Sequence, residues 1–478
     1  MNIPVVVYIL GRVLQVEAAF MALPFFVGLI YKEQEAFAFL IIGAVEFLVG
    51  WVFSRKKPES HSFYAKEGFV TVSLCWILMG IVGALPFVLT GDIANPLDAI
   101  FEMVSGFTTT GASILTDVES LHHCSLMWRS FGNWIGGMGV LVFVLSILPL
   151  AGAQNIYLMR AESTGPSVGK LVPKVRSTAA NLYKIYCGMT LVEFLFLLAG
   201  GLDLFSAVTL SFANAGTGGF AILNSSCAGY SSYVQIVLTV FMVLFGVNFT
   251  VYYLLLTKRV KQAASCEEMH WYLGIFFVAS ALIVINTLGS FDSVLEGVKH
   301  VAFTVASIMT TTGFCTVDFD TWPEFSKVIL VGLMFIGGCA GSTAGGLKVS
   351  RIVIYLKSVK KMFAQYLHPR SIKVVKFEGK QVEHDVIRSV NMFLITFIFI
   401  YVGSMLLVSL DNHNFETTFT AVAATINNIG PGMDVVGPTQ NFSGFSPLSK
   451  VVLIFDMLVG RLEVFPILLL FAPSTYKK

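Results

Sequence analysis

The sequence predicts an all-α integral membrane protein, with two N-terminal helices ahead of four pseudo-repeated units of helix, re-entrant loop and helix. The first observation is compositional: of 478 residues, 55% are hydrophobic and 13% charged, about half the charged share of a soluble chain. The second is a set of ten apolar segments, at about 4–30, 36–53, 67–90, 126–150, 182–200, 232–257, 270–290, 326–356, 387–410 and 448–472. A span needs roughly 20 such residues to cross a hydrocarbon layer about 30 Å thick. None of the ten shows the short alternation of a barrel strand, so a helical bundle follows. The third is a glycine-containing turn that recurs in four of the intervening loops.

Taken in order, segment 4–30 reads as a span and not a cleavable signal, because its apolar run is too long and another span follows at once. Basic residues then cluster after alternate spans. Arg55, Lys56, Lys57 and Lys66 form one group, Arg160, Lys170, Lys174, Arg176 and Lys184 a second, and Lys258, Arg259 and Lys261 a third. Ten more lie from Lys348 to Arg388, and Lys477 and Lys478 close the chain, so 24 of 31 basic residues fall on one side. Loops 91–125, 201–231 and 411–447 hold none, and carry Asp92, Asp98, Glu102, Asp117, Glu119, Asp203, Asp411, Glu416 and Asp434 instead. The positive-inside rule puts both termini in the cytoplasm and the acidic loops outside. A net charge of only +2 argues against a nucleic-acid binder. The seven cysteines are scattered and never form CxxC, so they give neither a zinc site nor a disulfide framework.

The recurrent turns read Phe107-Thr108-Thr109-Thr110-Gly111, Phe212-Ala213-Asn214-Ala215-Gly216, Met309-Thr310-Thr311-Thr312-Gly313 and Ile426-Asn427-Asn428-Ile429-Gly430. Their glycines lie 105, 97 and 117 residues apart, each turn between one span and the next. Such spacing marks internal repetition. It divides the chain into an N-terminal two-helix extension (1–66), a first M1–P–M2 repeat (67–152), a second with a preceding cytosolic loop (153–262), a third with an intramembrane loop (263–357), and a fourth with a preceding cytosolic loop (358–478).

Irregular backbone survives at membrane depth only where it is buried in protein or lines a water-filled path. Four half-helices entering from outside turn their negative C-terminal ends toward one axis and favour a cation there, which makes it a central pore. Gly111, Gly216, Gly313 and Gly430 tolerate positive φ and let carbonyls face that axis, as rings of carbonyls do in ion filters. An acidic vestibule concentrates cations at the mouth, less so as salt rises. The competing reading is of ordinary re-entrant loops or glycine-mediated helix contacts. Repetition in register with four span pairs favours the pore.

The eighth span is interrupted by Gly337-Gly338-Cys339-Ala340-Gly341-Ser342-Thr343-Ala344-Gly345-Gly346. Five glycines in ten residues cost roughly 1 kcal/mol each relative to alanine and do not make a stable lipid-facing helix. The stretch is either a mobile loop below the turns that occludes ions or a close-packing patch. A phosphate-binding loop is excluded, because Gly346-Leu347-Lys348-Val349 lacks Gly-Lys-Ser/Thr. Arg461 lies within the last span, where a charge is costly unless it faces protein or water. It either repels cations in the pore or pairs with Asp456 or Glu463. Arg129 and Asn133 are expected to be interfacial, and His122-His123-Cys124 a solvated loop more than a metal site.

With these motifs the chain resembles the Trk/Ktr/HKT superfamily of potassium transporters, and its two extra N-terminal helices look like the TrkH branch. The resemblance implies K+ uptake across a bacterial inner membrane, with K+ held at Thr109, Thr110, Asn214, Ala215, Thr311, Thr312, Asn428 and Ile429. It also implies a gate made of the 337–346 loop and Arg461. It further implies a homodimer governed by a cytosolic TrkA-type RCK ring that binds the regulatory nucleotide (ATP/ADP or NAD), with no cofactor in this chain. Segments 348–388 and 153–181 are the expected surface for that ring. The second turn departs from the pattern by lacking threonines. The alternative is a secondary transporter coupling K+ to H+ or Na+, against which no span holds a set of buried acids, Asp456 apart. An enzyme is excluded by the lack of HExxH, GxSxG or paired intramembrane aspartates.

Overall fold

The computed structural model describes residues 1–56, 64–139, 175–370 and 373–476. Most of the 153–181 loop, the end of the span expected at 126–150, and Lys57, Arg160, Lys170, Lys174, Lys477 and Lys478 lie outside the described residues. The architecture is almost wholly helical, as expected. Helices α1 (Ile3–Phe20) and α2 (Ala22–Tyr31) form one span, followed by α3 (Ala36–Ser54) and α4 (Ala65–Thr90). α1 crosses α3 where Gly11 faces Gly50, and a methyl group on either would meet the other's carbonyl oxygen. Small residues at such a crossing let two backbones approach without a solvent-driven core.

Four times a long helix leads into a short one. α4 precedes α5 (Pro96–Phe107), α7 (Val175–Ala199) precedes α8 (Leu204–Ala215), α12 (Glu267–Thr287) precedes α13 (Val294–Met309), and α16 (His384–Val408) precedes α17 (Phe415–Ile426). Three of the short helices have 12 residues, about 18 Å of rise and too little to cross the layer. Their starts are written locally. Asn95, Asp203, Ser293 and Asn414 each sit before the first helical residue and accept a backbone N–H from the first turn. That cap contributes about 1 kcal/mol apiece.

The helix after each turn ends or bends early. α6 (His123–Gly137) stops at Met138, and α9 (Ser232–Phe245) bends by 90° into α10 (Phe249–Leu256). α14 (Glu324–Ile336) and α15 (Val349–Leu367) are separated by the 337–348 segment, while α18 (Pro447–Arg461) reaches α19 (Phe465–Phe471) through Leu462–Val464. The sequence shows the third break and hides the others, because Gly246-Val247-Asn248 and Leu462-Glu463-Val464 leave the apolar runs at 232–257 and 448–472 unbroken. Between α10 and α12 lies a short helix, α11 (Val260–Ala264). In the basic 348–388 segment the described residues form α15 and then a hairpin of β1 (Lys376–Phe377) and β2 (Lys380–Gln381). Glu378 of its turn accepts the Glu268 N–H at 3.0 Å, which seats the hairpin on the start of α12.

Candidate functional site

All four short helices end in the same backbone course. The residue after each helix stays right-handed or close to it, and the next flips to positive φ: Thr109 (57°), Thr217 (52°), Thr311 (58°) and Asn428 (55°). The following N–H then reaches back to the helix, with Thr110 to Ser105 O at 2.9 Å, Gly218 to Ala213 O at 2.9 Å, Thr312 to Ser307 O at 2.8 Å and Ile429 to Ala424 O at 2.8 Å. This closure satisfies carbonyls that a helix end leaves free. It is normally a glycine position, and β-branched threonine there costs of order 1–3 kcal/mol. Each course ends on a positive-φ glycine: Gly111, Gly219, Gly313 and Gly430.

This alignment corrects the second turn. Ala213, Asn214 and Ala215 belong to α8, and Gly216 caps it with φ −69° rather than a positive value. The turn proper is Gly216-Thr217-Gly218-Gly219, three residues later than the sequence pattern suggested. Spacing misled because the Ala-Asn-Ala-Gly string mimics the others one helical turn early. The Asn214 side chain, expected at the ion path, instead bonds Glu193 and the Leu238 carbonyl.

The four turns close a ring. A methyl group on Gly111 would run into Gly218 O, one on Gly219 into Thr312 O, one on Gly313 into Ile429 O, and one on Gly430 into Thr110 O. Each glycine therefore abuts the residue just before the glycine of the next turn, in cyclic order. All four line one cavity of about 100 Å³, with Ser113, Phe220, Cys315 and Pro431. Side chains lock the ring. The Thr108 and Thr110 hydroxyls meet at 2.8 Å, and those of Thr310 and Thr312 at 2.7 Å. Asn428 crosses to Thr110 at 2.9 Å and also donates to Met457 O at 2.9 Å.

Arg129 and Asn133, expected at the interface, are buried. Arg129 binds Glu102 through Nε at 2.9 Å and an η-nitrogen at 2.7 Å, and Glu102 also accepts the Ile114 N–H at 3.0 Å. Asn133 donates to Gly106 O at 2.8 Å and accepts the Phe220 N–H at 3.2 Å. Sequence reasoning missed both roles, although a lone arginine with a loop glutamate 27 residues upstream was a visible signal.

Beneath the ring, the 337–346 stretch forms a loop held at many points. Gly345 N–H donates to Thr311 Oγ1 at 2.6 Å, and Gly346 N–H to Asn427 O at 3.1 Å. Cys339 N–H bonds Gly246 O at 3.0 Å, Gly341 O accepts the Phe249 N–H at 3.0 Å, and Thr343 Oγ1 reaches Phe245 O at 3.3 Å. Gly338 O accepts the Val349 N–H, and the Ser342 hydroxyl donates to Cys339 O. Glu268 ties both ends, accepting the N–H of Ala340 at 2.7 Å and of Ser350 at 3.0 Å. Gly337 leaves α14 with φ 75°, and buried Lys348 donates to Ala344 O.

The Arg461 guanidinium sits at the junction of loop and ring. It donates to Thr343 O at 3.1 Å, Thr109 Oγ1 at 3.3 Å, Gly137 O at 2.8 Å and Gly136 O. Glu463 is bonded by Arg351, and Asp456 accepts the Ser404 hydroxyl at 2.6 Å. The backbone beyond Arg461 is strained: Glu463 (φ 58°) and Val464 (φ 68°) are both left-handed, an arrangement that the surroundings must enforce.

The acidic loops 91–125 and 411–447 are partly neutralised. Glu102 is paired as above, Asp98 meets Lys450 at 2.6 Å, and Glu416 meets Lys327 at 3.5 Å. Asp434 is half-buried, and the Thr417 hydroxyl and the Asn414 amide, both at 2.6 Å, hold its carboxyl below the usual carboxylate range. His122 bonds Asp92 at 2.7 Å and His123 bonds Glu33 at 2.8 Å. Glu33 also accepts the N–H groups of His123 and Cys124 at the start of α6. Partial burial opposes its ionisation, but those donors outweigh it and keep the carboxyl below its ordinary value. Among the described residues, no group of three or more His, Cys, Asp or Glu is placed to hold a metal ion.

The expectation that spans lack buried acids is corrected as well. Glu17 of α1 and Glu46 of α3 are buried beside each other, and their oxygens find no donor elsewhere among the described residues. Glu193 of α7 is also fully buried.

A family model described as TrkH, cation transport protein, matches residues 34–277 and 275–477. The Trk system potassium uptake protein TrkH of Escherichia coli strain K12 is 34% identical over 491 residues, covering 100% of both chains. The protein of that name from Halomonas elongata is 31% identical over 487 residues, again covering 100% of both. The crystal structure of the potassium transporter TrkH from Vibrio parahaemolyticus matches with a TM-score of 0.91, at 29% identity and over 100% of each chain.

Proposed function

The chain belongs to the TrkH family of cation transport proteins, and from that premise we propose that it takes up K+ across a bacterial inner membrane through a channel-like pore, with both termini cytoplasmic. The selectivity filter is Thr108–Gly111, Gly216–Gly219, Thr310–Gly313 and Asn427–Gly430, and K+ exchanges its water for their carbonyl oxygens. The observation that carries this reading is the cyclic contact of four glycines with four neighbouring turns around one cavity. Helix C-terminal ends and ionised outer carboxylates add a negative potential along the path.

The 337–346 loop and Arg461 are the gate, since loop amides occupy Thr311 Oγ1 and Asn427 O from below while the guanidinium takes Thr109. The protein works as a homodimer, regulated by a cytosolic TrkA-type RCK ring that binds the nucleotide. Segment 348–388, with α15 and the β1–β2 hairpin, is its contact surface on this chain, together with segment 153–181.

Ion selectivity in purified protein tests the filter. Gly313→Ser adds atoms where Ile429 O already lies, so K+ over Na+ discrimination in liposome flux is expected to fall by about tenfold or more, the equivalent of about 1.4 kcal/mol between the ions. Unchanged preference in a folded variant rejects the filter. Shortening the 337–346 loop is expected to raise basal flux several-fold, and wild-type flux would return the loop to a packing role. A second reading, coupling of K+ to H+, is favoured by the facing carboxyls of Glu17 and Glu46. Current that reverses at the K+ equilibrium potential at every pH gradient eliminates it.

A further inference from the structure

The second turn lacks the parts that fasten the others. In the first turn Asn428 donates to Thr110, Thr110 to Thr108, and Thr108 to Val104 O at 2.7 Å. The third repeats the relay through Thr312, Thr310 and Ala306 O at 2.7 Å. In the fourth, Asn427 donates to Ala423 O at 2.9 Å, taking the place of the Thr108 hydroxyl. The equivalent positions of the second turn are Gly216 and Gly218, which carry no hydroxyl.

Three buried side chains from outside that turn occupy the gap. The Asn133 side chain fills the volume a Gly218 side chain would need, and ties Gly106 O of the first short helix to Phe220 N–H beyond the second turn. On the far side, Asn214, two residues before Gly216, donates to Glu193 and to Leu238 O at 3.3 Å. Asn133, Asn214 and Glu193 are each 0% exposed. Glu193 Oε2 and Asn214 Oδ1 have no hydrogen-bond partner among the described residues. Buried polar groups are expensive to hold in an apolar bundle, and a partly satisfied pair is kept only where the fold over-determines it.

We propose that Asn133 and the Glu193–Asn214 pair are specificity-determining positioning residues: they hold the threonine-poor second turn at the ring spacing that the hydroxyl relays set in the first and third. The proposal rests on the filter reading above. It assigns them no contact with the ion. They act on it through the carbonyls of Gly216, Thr217 and Gly218, whose placement fixes how well the ring replaces the water of K+ relative to the smaller Na+.

The test is K+ and Na+ flux through purified, monodisperse protein in liposomes. Glu193→Ala is expected to lower the K+/Na+ permeability ratio by about tenfold, the worth of one buried hydrogen bond, mainly through added Na+ flux. Glu193→Gln keeps the acceptor for Asn214 and offers an N–H to the orphaned Asn214 Oδ1, so it is expected to restore the ratio. If Glu193→Ala does not fold, Asn133→Ser, too short to reach Gly106 O and Phe220 N–H together, carries the same expectation. A packing role would change both fluxes alike and make Gln no better than Leu at 193, and either result overturns the proposal. Gly313→Ser is measured alongside. Lost discrimination there with an unchanged ratio in Glu193→Ala and Asn133→Ser overturns the brace and leaves the filter standing, whereas an unchanged ratio in all three rejects the filter itself.

Discussion

Arg461→Ala is expected to raise basal K+ flux in the absence of any partner by up to about a hundredfold, measured as tracer rubidium uptake into liposomes. Two unit charges about 6 Å apart at an effective dielectric of about 20 repel by about 3 kcal/mol, which is a hundredfold in ion occupancy below the ring. The guanidinium also binds mechanically, since one side chain joins Thr109 of the first turn, Thr343 of the loop and the carbonyls that end α6. Arg461→Lys keeps the charge and loses the planar fork that reaches these acceptors together. It is therefore expected to lie between the parent and alanine. Equal flux in all three proteins would remove Arg461 from the gate.

That junction explains why the break after α18 is strained. Two successive left-handed non-glycine residues, Glu463 and Val464, follow Arg461 directly, and Arg351 clamps Glu463 while its guanidinium lies 3.9 Å from the Phe393 ring centroid. Arg351 belongs to α15, the helix that follows the 337–346 loop. The Arg351–Glu463 ion pair thus joins α15 to the strained backbone that follows Arg461.

The short helices and three of the four turns were legible because their signals are local: a cap residue, a run too short to span, and a polar string closing on glycine. The register of the second turn was not legible. Its identity lies in a left-handed residue, and Thr217 announces that no more clearly than its neighbours do. The backbone course, with its left-handed Thr217 and the bond from Gly218 N–H to Ala213 O, and the contacts of Gly111 with Gly218 and Gly219 with Thr312 fix which residues are equivalent. The loop at 337–346 was visible in its glycines, but the breaks at Gly246 and Leu462 were not: Gly246 O accepts the Cys339 N–H from a distant loop, and the end of α18 closes locally on left-handed Glu463 and Val464, which no turn residue announces. Glu102 looked like a vestibule carboxylate because the lone Arg129, 27 residues on, suggests a partner without showing that it faces Glu102.

Arg129→Ala is accordingly expected to destabilise the protein by about 3–5 kcal/mol, since it strands Glu102 as an uncompensated charge at 0% exposure. Denaturation of the detergent-solubilised protein followed by tryptophan fluorescence measures it. Replacing the pair together, as Arg129→Met with Glu102→Met, removes both charges at similar volume and is expected to recover most of that stability. Function should not recover with it. Glu102 also accepts the Ser113 hydroxyl at 3.0 Å and the Ile114 N–H at 3.0 Å, in the segment that leaves Gly111. The double variant is therefore expected to fold stably yet discriminate K+ from Na+ less well than the parent. A double variant with full stability and full discrimination would show that the ion pair serves only itself, and that the outer edge of the ring is held from elsewhere.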